Sequence, residues 1–362
     1  MIMTGLRGVG KTVLLNRFAE LAELAGWESI ELEASKHDET AFRQSIFSKF
    51  RAALLHISPR RRWSERARHA AEVLSSFVLS IDQSGTFSVT WDVDPSEGYG
   101  DHGDLGLDLT DVFLAVGDVA KEKETGIVLL IDEVQFLTTV QLESLIQAVH
   151  KSVQKKLPTT FVGAGLPQIA ELAGDAKSYA ERLFKFPRID SLTPEEARQA
   201  LVGPAETENV SYDEDAVDLA VSLTHGYPYF IQELGYQAWI VASGNHITAE
   251  DVSTAKEAYE AKLDGSFFRV RLDRATPLQT AYMRAMAELG SEPQKAADVA
   301  SLMKRESSQV APIRSQLIDM GLLYTPQHGY AAFTVPDFDK FMMRAVPRLE
   351  VPEIQHRRRR GK

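Results

Sequence analysis

A parallel β-sheet sandwiched by helices, followed by an all-helical segment and then by helices with a small hairpin, is the α/β fold class this sequence predicts. Three observations carry that expectation. A glycine-rich stretch, Gly5-Leu6-Arg7-Gly8-Val9-Gly10-Lys11-Thr12, joins a short apolar segment to a helical pattern. A continuous apolar run, Ile127-Val128-Leu129-Leu130-Ile131, ends in Asp132-Glu133. An uninterrupted run of β-branched and leucine residues is how a strand buried on both faces of a parallel sheet reads. From Thr193 onward, helix caps and helical periodicity replace strand patterns until residue 322.

Taken in order, residues 1–4 give the first strand. Residues 13–25 give a helix carrying Leu14, Leu15, Phe18, Leu21 and Leu24 at helical spacing, closed by Gly26. Residues 28–33 alternate as a second strand. A long insertion follows, with helices at 41–57 and 63–81 separated by Pro59, an alternating β excursion at 85–95, and a Gly- and Asp-rich loop to residue 106. A helix at 109–123 leads into the apolar strand. A helix at 140–157, stopped by Pro158, a strand at 159–162 and a helix at 176–183 complete this part. Thr193-Pro194-Glu195-Glu196 opens the all-helical segment with a cap, a first-turn proline and a third-position acid. Helices at 213–224, 228–241 and 249–263 follow. The last segment reads as helices at 276–289, 296–303 and 308–320, with Ile313, Leu317 and Met320 inward. Strands at 322–324 and 330–335 then flank Gln327-His328-Gly329. Three helices and a two-stranded wing make a winged-helix arrangement. The expected domains are 1–190, a nucleotide-binding core; 191–270, a helical lid; 271–346, the winged helix; and 347–362, a disordered basic tail.

Composition bounds the function. Length and apolar content suit a soluble globular chain of two or three domains. There is no cysteine, so disulfides and thiolate metal sites are excluded and a reducing compartment, the cytoplasm, is expected. No apolar run is long enough to span a membrane and no leader precedes the glycine-rich stretch, so no membrane partner is expected. The formal net charge of −11 gives no global attraction for nucleic acid.

The glycine-rich stretch fits G-x-x-x-x-G-K-[ST], the phosphate-binding loop pattern. Gly5 and Gly10 permit a tight turn that points backbone N–H groups at an anion; Lys11 places an ammonium on the β- and γ-phosphates; Thr12 offers a hydroxyl to Mg²⁺. Val13 opens a helix whose positive end faces the same anion. The residues from Gly5 to Val13 are thus the candidate nucleotide contacts, with Leu6, Arg7, Gly8 and Val9 contributing through backbone. Asp132 and Glu133 emerge at the C-terminal edge of their strand, where ligands sit in open α/β sheets. Asp132 is the second Mg²⁺ ligand and Glu133 the base that activates water.

These residues, with Gly163-Ala164-Gly165-Leu166-Pro167 and His225-Gly226-Tyr227-Pro228-Tyr229-Phe230, resemble the AAA+ ATPases of the origin-initiator-like group and the related STAND signalling NTPases. The resemblance covers nearly the whole chain as core, lid and winged helix. It implies ATP as nucleotide, Mg²⁺ as cofactor, and lid and winged-helix movement coupled to hydrolysis. The alternative it implies is a STAND-like switch that holds ATP or ADP, presents a protein-interaction surface and hydrolyses slowly. Arg182 lies where such proteins carry an arginine finger for a neighbouring subunit's γ-phosphate, which implies a homo-oligomer; its other reading is a helix-end arginine paired with a carboxylate.

Three departures bear on rate. The segment that precedes the loop in the family is missing, which implies weaker nucleotide affinity than in a relative that has it. Gly163, Ala164 and Gly165 supply no polar side chain at the end of the fourth strand, where relatives sense the γ-phosphate. Tyr227 and Pro228 replace the lid arginine. The last two imply slow turnover. For duplex DNA as partner the sequence is divided. Residues 276–344 hold seven basic and seven acidic side chains, which is no electrostatic footprint, although Lys304, Arg305 and Arg314 fall near the start of the recognition helix. Arg60, Arg61 and Arg62 around Trp63 read as a solvated helix start, and Asp101, His102 and Asp104 as a flexible acidic loop, ahead of nucleic-acid or metal readings.

Overall fold

The computed structural model describes residues 1–34, 39–79, 93–176 and 180–352. The chain forms two compact units, Met1–Gly5 with Lys11–Ile189, and Leu6–Gly10 with Asp190–Lys362.

In the first unit, β1 (Ile2–Thr4), α1 (Lys11–Leu24), β2 (Glu28–Glu33), α2 (Glu39–Ile57), α3 (Glu65–Leu79), α4 (Leu105–Glu122), β3 (Ile127–Asp132), α5 (Thr139–Gln154), β4 (Thr159–Gly165), α6 (Ile169–Ala176) and α7 (Ala180–Leu183) follow in chain order. The four strands pair in the order β1-β4-β3-β2, all parallel. Alternation along β3 divides the core. Ile127, Leu129 and Ile131 join the larger cluster with α2, α3, α4 and α5, whereas Val128 and Leu130 join Leu15 and Ala19 of α1 on the other face. Helices therefore cover both faces, as the unbroken apolar run requires.

Two local expectations change. The buried stripe of α1 is Leu15 and Ala19, with Phe18 packed against it, while Leu14, Leu21 and Leu24 are exposed. Helical spacing alone admits more than one stripe, and the sheet selects the narrower one. The β excursion expected at 85–95 lies outside the described residues except for 93–95, which form no strand. The part of the basic tail beyond residue 352 also lies outside them.

The insertion helices are fastened by a buried ion pair. Arg43 of α2 and Asp108 of α4 approach to 2.8 Å with side chains 2% and 0% exposed. Arg43 also donates to Glu39 and to the Phe77 carbonyl, and its guanidinium lies over the Phe77 ring. The second oxygen of Asp108 accepts the His102 N–H, and the His102 ring bonds Asp111. The Asp101, His102 and Asp104 loop is thus tied into helix α4: Asp104 caps it, and no cluster of three metal-ligating side chains occurs among the described residues. Arg60–Arg62 form a 3₁₀ turn with the Arg60 guanidinium near the Trp63 ring, on a helix start that is exposed as expected.

The second unit contains α8 (Pro194–Thr207), β5 (Ser211–Tyr212), α9 (Glu214–Thr224), α10 (Pro228–Val241), β6 (His246–Ile247), α11 (Ala249–Lys262), a π-helical turn (Leu263–Phe268), α12 (Arg269–Leu272), α13 (Pro277–Leu289), β7 (Gln294–Lys295), α14 (Ala296–Leu302), α15 (Ser307–Asp319), β8 (Leu323–Tyr324), β9 (Tyr330–Phe333) and α16 (Phe338–Ala345). Capping boxes at Thr193, Thr248 and Thr276 start α8, α11 and α13. β8 and β9 pair antiparallel with Leu323 opposite Phe333, and β7 adds a third strand on the other edge of β9. Helix α16, with Phe338, Phe341 and Met342 buried, extends beyond the hairpin. No helix among the described residues is long and apolar enough to cross a membrane.

Removing Asp108 takes away the buried partner of Arg43, which keeps its bond to the more exposed Glu39 carboxylate. Asp108→Ala is expected to destabilise the first unit by about 1–3 kcal/mol, read as a lower denaturant midpoint of its unfolding transition.

Candidate functional site

Three residues of strand β1 suffice to aim the glycine-rich loop because both sides of that strand are held. Its Thr4 pairs with Gly165 of β4, and the Ile2 and Thr4 N–H groups donate to the carbonyls of Lys185 and Pro187. With β4 between β1 and β3, the loop after β1 and the carboxylates after β3 open at one sheet edge. Thr12, in the first turn of α1, donates its hydroxyl to Asp132 Oδ2 at 2.6 Å. The other oxygen, Oδ1, accepts the Glu133 N–H at 2.7 Å. Lys11 is buried and its Nζ donates to the Gly5 carbonyl at 2.9 Å. Within the first unit, Gly5, Lys11 and Thr12 thus cluster with the acidic pair.

Gly5 does not supply the left-handed turn. Positive φ falls on Gly8 and Gly10, while the Gly5 N–H bonds the Gly165 carbonyl at 3.1 Å. Leu6–Gly10 belong with the second unit, where the Arg7 N–H donates to the Thr334 carbonyl at 3.1 Å. Val13, the last of the candidate contacts, is exposed.

Glu133 sits in the left-handed region, at φ 53° and ψ 39°. That conformation is uncommon for a residue with a side chain and marks a position held by its surroundings. Its carboxylate accepts a hydrogen bond from the Gln135 side-chain amide. Gln135 Oε1 in turn accepts the Leu166 N–H at 3.0 Å. A Cβ on Gly165 would lie 2.9 Å from that same oxygen. The glycines at the end of β4, which bring no polar side chain of their own, therefore make room for one reaching over from the β3 side. Sequence reasoning missed Gln135; the signal was a polar residue two positions past Glu133, between the apolar Val134 and Phe136.

Arg182 stands exposed on α7, and no hydrogen bond or ion pair among the described residues joins it to Lys11, Thr12, Asp132 or Glu133. As for a metal, the Thr12 hydroxyl and Asp132 carboxylate are hard oxygen donors. They are too few for an all-protein cage. That set suits a small divalent cation of the Mg²⁺ kind, which completes its shell with phosphate oxygens and water.

Residues 1–162 match the family model described as AAA ATPase domain. The match takes in the glycine-rich loop, Asp132 and Glu133, and covers less than half of the chain. Residues 265–342 match a second family, described as Domain of unknown function (DUF8462). Among solved structures, a Walker-type ATPase of Pyrococcus abyssi is similar at 16% identity, over 94% of this chain and 90% of that one, with a TM-score of 0.57. The Aeropyrum pernix ORC2 protein is similar at 15% identity over 96% and 88%, with a TM-score of 0.48. The Thermotoga maritima RuvB Holliday junction branch migration motor is similar at 15% identity over 97% and 87%, with a TM-score of 0.44. No curated protein matches the sequence. The Pyrococcus likeness shows a shared fold; the Thr12–Asp132 cluster lies in the matched AAA ATPase domain.

In the second unit, the residues that break α9 from α10 have their own geometry. His225 and Gly226 are successive left-handed residues, at φ 50° and 69°. Gly226 lies so close to the Leu192 backbone that a Cβ would stand 2.2 Å from the Leu192 carbonyl oxygen. Pro228 then opens α10. Gly226→Ala is expected to lower the stability of the second unit by about 2–4 kcal/mol, measured as a shift of its denaturation midpoint.

Proposed function

We propose that the chain is a slow, Mg²⁺-dependent ATPase that works as a nucleotide-controlled switch. The hydrogen bond between Thr12 and Asp132 carries this reading, because it joins the phosphate-loop hydroxyl to the acidic pair in one cluster. The loop amides and Lys11 bind the β- and γ-phosphates. Thr12 and Asp132 hold Mg²⁺, which when bound neutralises charge on the phosphate oxygens. Glu133 takes a proton from water as the water oxygen attacks the γ-phosphorus. The bond to the ADP oxygen breaks, leaving ADP and inorganic phosphate. ATP is preferred to GTP on the family resemblance and the lack of an N-K-x-D guanine-reading motif.

Slow turnover is supported by the bond from Gln135 to Glu133. A carboxylate with one oxygen held by an amide is restrained in how it turns toward water. Residues 191–270 act as lid and 271–346 as winged helix, both moving with the state of the γ-phosphate. The three-helix and hairpin pattern and the separate family match over 265–342 support a distinct C-terminal module. Arg182, exposed on its helix, serves a neighbouring copy in a homo-oligomer. The cytoplasm is the proposed location.

A STAND-like switch presenting a protein-binding surface is the second reading, and one observation favours it over action on duplex DNA. Arg305, one of three cations near the start of the recognition helix, donates to the Pro352 carbonyl and is half-buried. Its charge is turned to its own chain, and the balanced charge of the segment adds no compensating field.

Lys11→Ala should abolish ATP binding, by calorimetry. Glu133→Gln should bind ATP normally and reduce turnover at least about a hundredfold. Gln135→Ala should raise turnover several-fold with unchanged ATP affinity. A cellular readout that survives Glu133→Gln assigns the switch; one that is lost assigns work by turnover.

A further inference from the structure

Tyr227 is 2% exposed, yet its hydroxyl has no hydrogen-bond partner among the described residues. Its ring packs on Phe230 with centroids 4.7 Å apart. A phenylalanine would make that contact equally well, so packing explains the ring and not the oxygen. The oxygen lies over the glycine-rich loop. In the same compact unit, a Cβ placed on Gly8 would stand 3.3 Å from the Tyr227 hydroxyl and 3.2 Å from both the Tyr227 ring and the Tyr229 Cβ. Gly8 has φ +87° and no side chain to separate its backbone from the phenol.

The surroundings favour an anion. Tyr229 stacks on Phe267 at 4.3 Å, and the Arg271 guanidinium covers the other part of that aromatic group, 4.1 Å from the Phe267 centroid. Burial, and then the neighbouring Arg7, hold the Arg271 guanidinium below its ordinary range. Arg271 acts on the phenol and is itself acted on by Arg7, while the Asp190 carboxylate also acts on the phenol; a phosphate beside the two guanidinium groups offsets their mutual repulsion. Burial pushes the Tyr227 phenol up, so it remains a neutral donor throughout the physiological range.

We propose that Tyr227 is a phosphate-reading residue for the bound nucleotide: its hydroxyl donates to a phosphate oxygen seated on Gly8–Gly10, with Arg7 and Arg271 supplying positive potential. This rests on the reading of the loop as an ATP site. It gives the Gly226-Tyr227-Pro228 turn a direct polar contact with ligand in place of an arginine, and so lets the segment that begins α10 sense whether phosphate is present. Neutral phenol and phosphate make a charge-assisted hydrogen bond, stronger than one between neutral groups.

The test uses the full chain as wild type, Tyr227→Phe, Tyr282→Phe and Lys11→Ala. Tyr282 is the control, since its buried hydroxyl also lacks a partner among the described residues but it lies in α13. Dissociation constants for Mg²⁺-ATPγS, Mg²⁺-ADP and inorganic tripolyphosphate are measured by calorimetry, and thermal midpoints are recorded without ligand. Tyr227→Phe is expected to keep or raise the unliganded midpoint and to weaken all three ligands about tenfold. Tyr282→Phe should leave all three affinities unchanged. Wild-type binding with equal affinity in Tyr227→Phe overturns the inference alone. Loss of ATPγS affinity with tripolyphosphate unaffected also overturns it, placing the hydroxyl on the nucleoside. A wild type that binds no nucleotide, or a Lys11→Ala variant that binds as tightly as wild type, overturns the loop assignment and this inference together.

Discussion

The hydrogen bond from Thr12 to Asp132 joins residues 120 positions apart, and the strand pairing of the first unit is what brings them together. Neither motif has a route to the other along the chain. Only the interposition of β4 between β1 and β3 brings their ends level, with Thr4 beside Gly165 and Ile131 beside Gly163. A three-residue strand is too short to hold its own register. β1 is therefore gripped from both sides, by β4 and by the segment from Lys185 to Ile189, whose Ile189 N–H returns to the Thr4 carbonyl at 2.7 Å. The two-faced apolar β3 anchors the partner end, since a register slip would move Ile127, Leu129 and Ile131 out of the larger cluster.

Strong local rules made most of this fold legible. The order of strands and helices in the first unit followed from apolar runs, prolines and glycines. The threonine-led capping boxes at 193 and 248 predicted helix starts that the structure keeps. Helix α10 spans Pro228–Val241 as its proline and periodicity imply. What was illegible depends on tertiary context. The face of α1 was decided by the sheet, not by leucine count. The two-residue strands β5, β6 and β7 carry no pattern of their own and are strands only because a neighbour pairs with them. Helix α16 is short and enters through Asp337 at a left-handed φ, so no ordinary cap announced it.

The site was legible to a different depth. Its charged members follow from motif chemistry, because a phosphate loop needs glycines, a lysine and a hydroxyl in fixed order. Its neutral member does not. Gln135 belongs to no spacing rule, and its significance comes from what its polar atoms meet in space. Gln135 is legible only once β4 is known to end in glycine beside it; in the second unit, Tyr227 stands out only once its hydroxyl is found without a partner among the described residues. Amides and phenols are ordinary residues in sequence, and burial is what makes their hydrogen bonding costly to neglect.

Glu133 shows why such neutral groups matter to the chemistry. Its left-handed backbone costs on the order of 1–3 kcal/mol unless the surroundings hold it. Two hydrogen bonds do so, from its own N–H to Asp132 and from Gln135 to its carboxylate. Gln135 is fixed at its other end by the Leu166 N–H, and Leu166 leads from β4 toward α6. The carboxylate is therefore linked through one side chain to the backbone leaving the neighbouring strand. A polar side chain on β4 itself would contact ligand and leave Glu133 independent. Placing the amide on the β3 side instead ties the Glu133 carboxylate to the backbone that leaves β4.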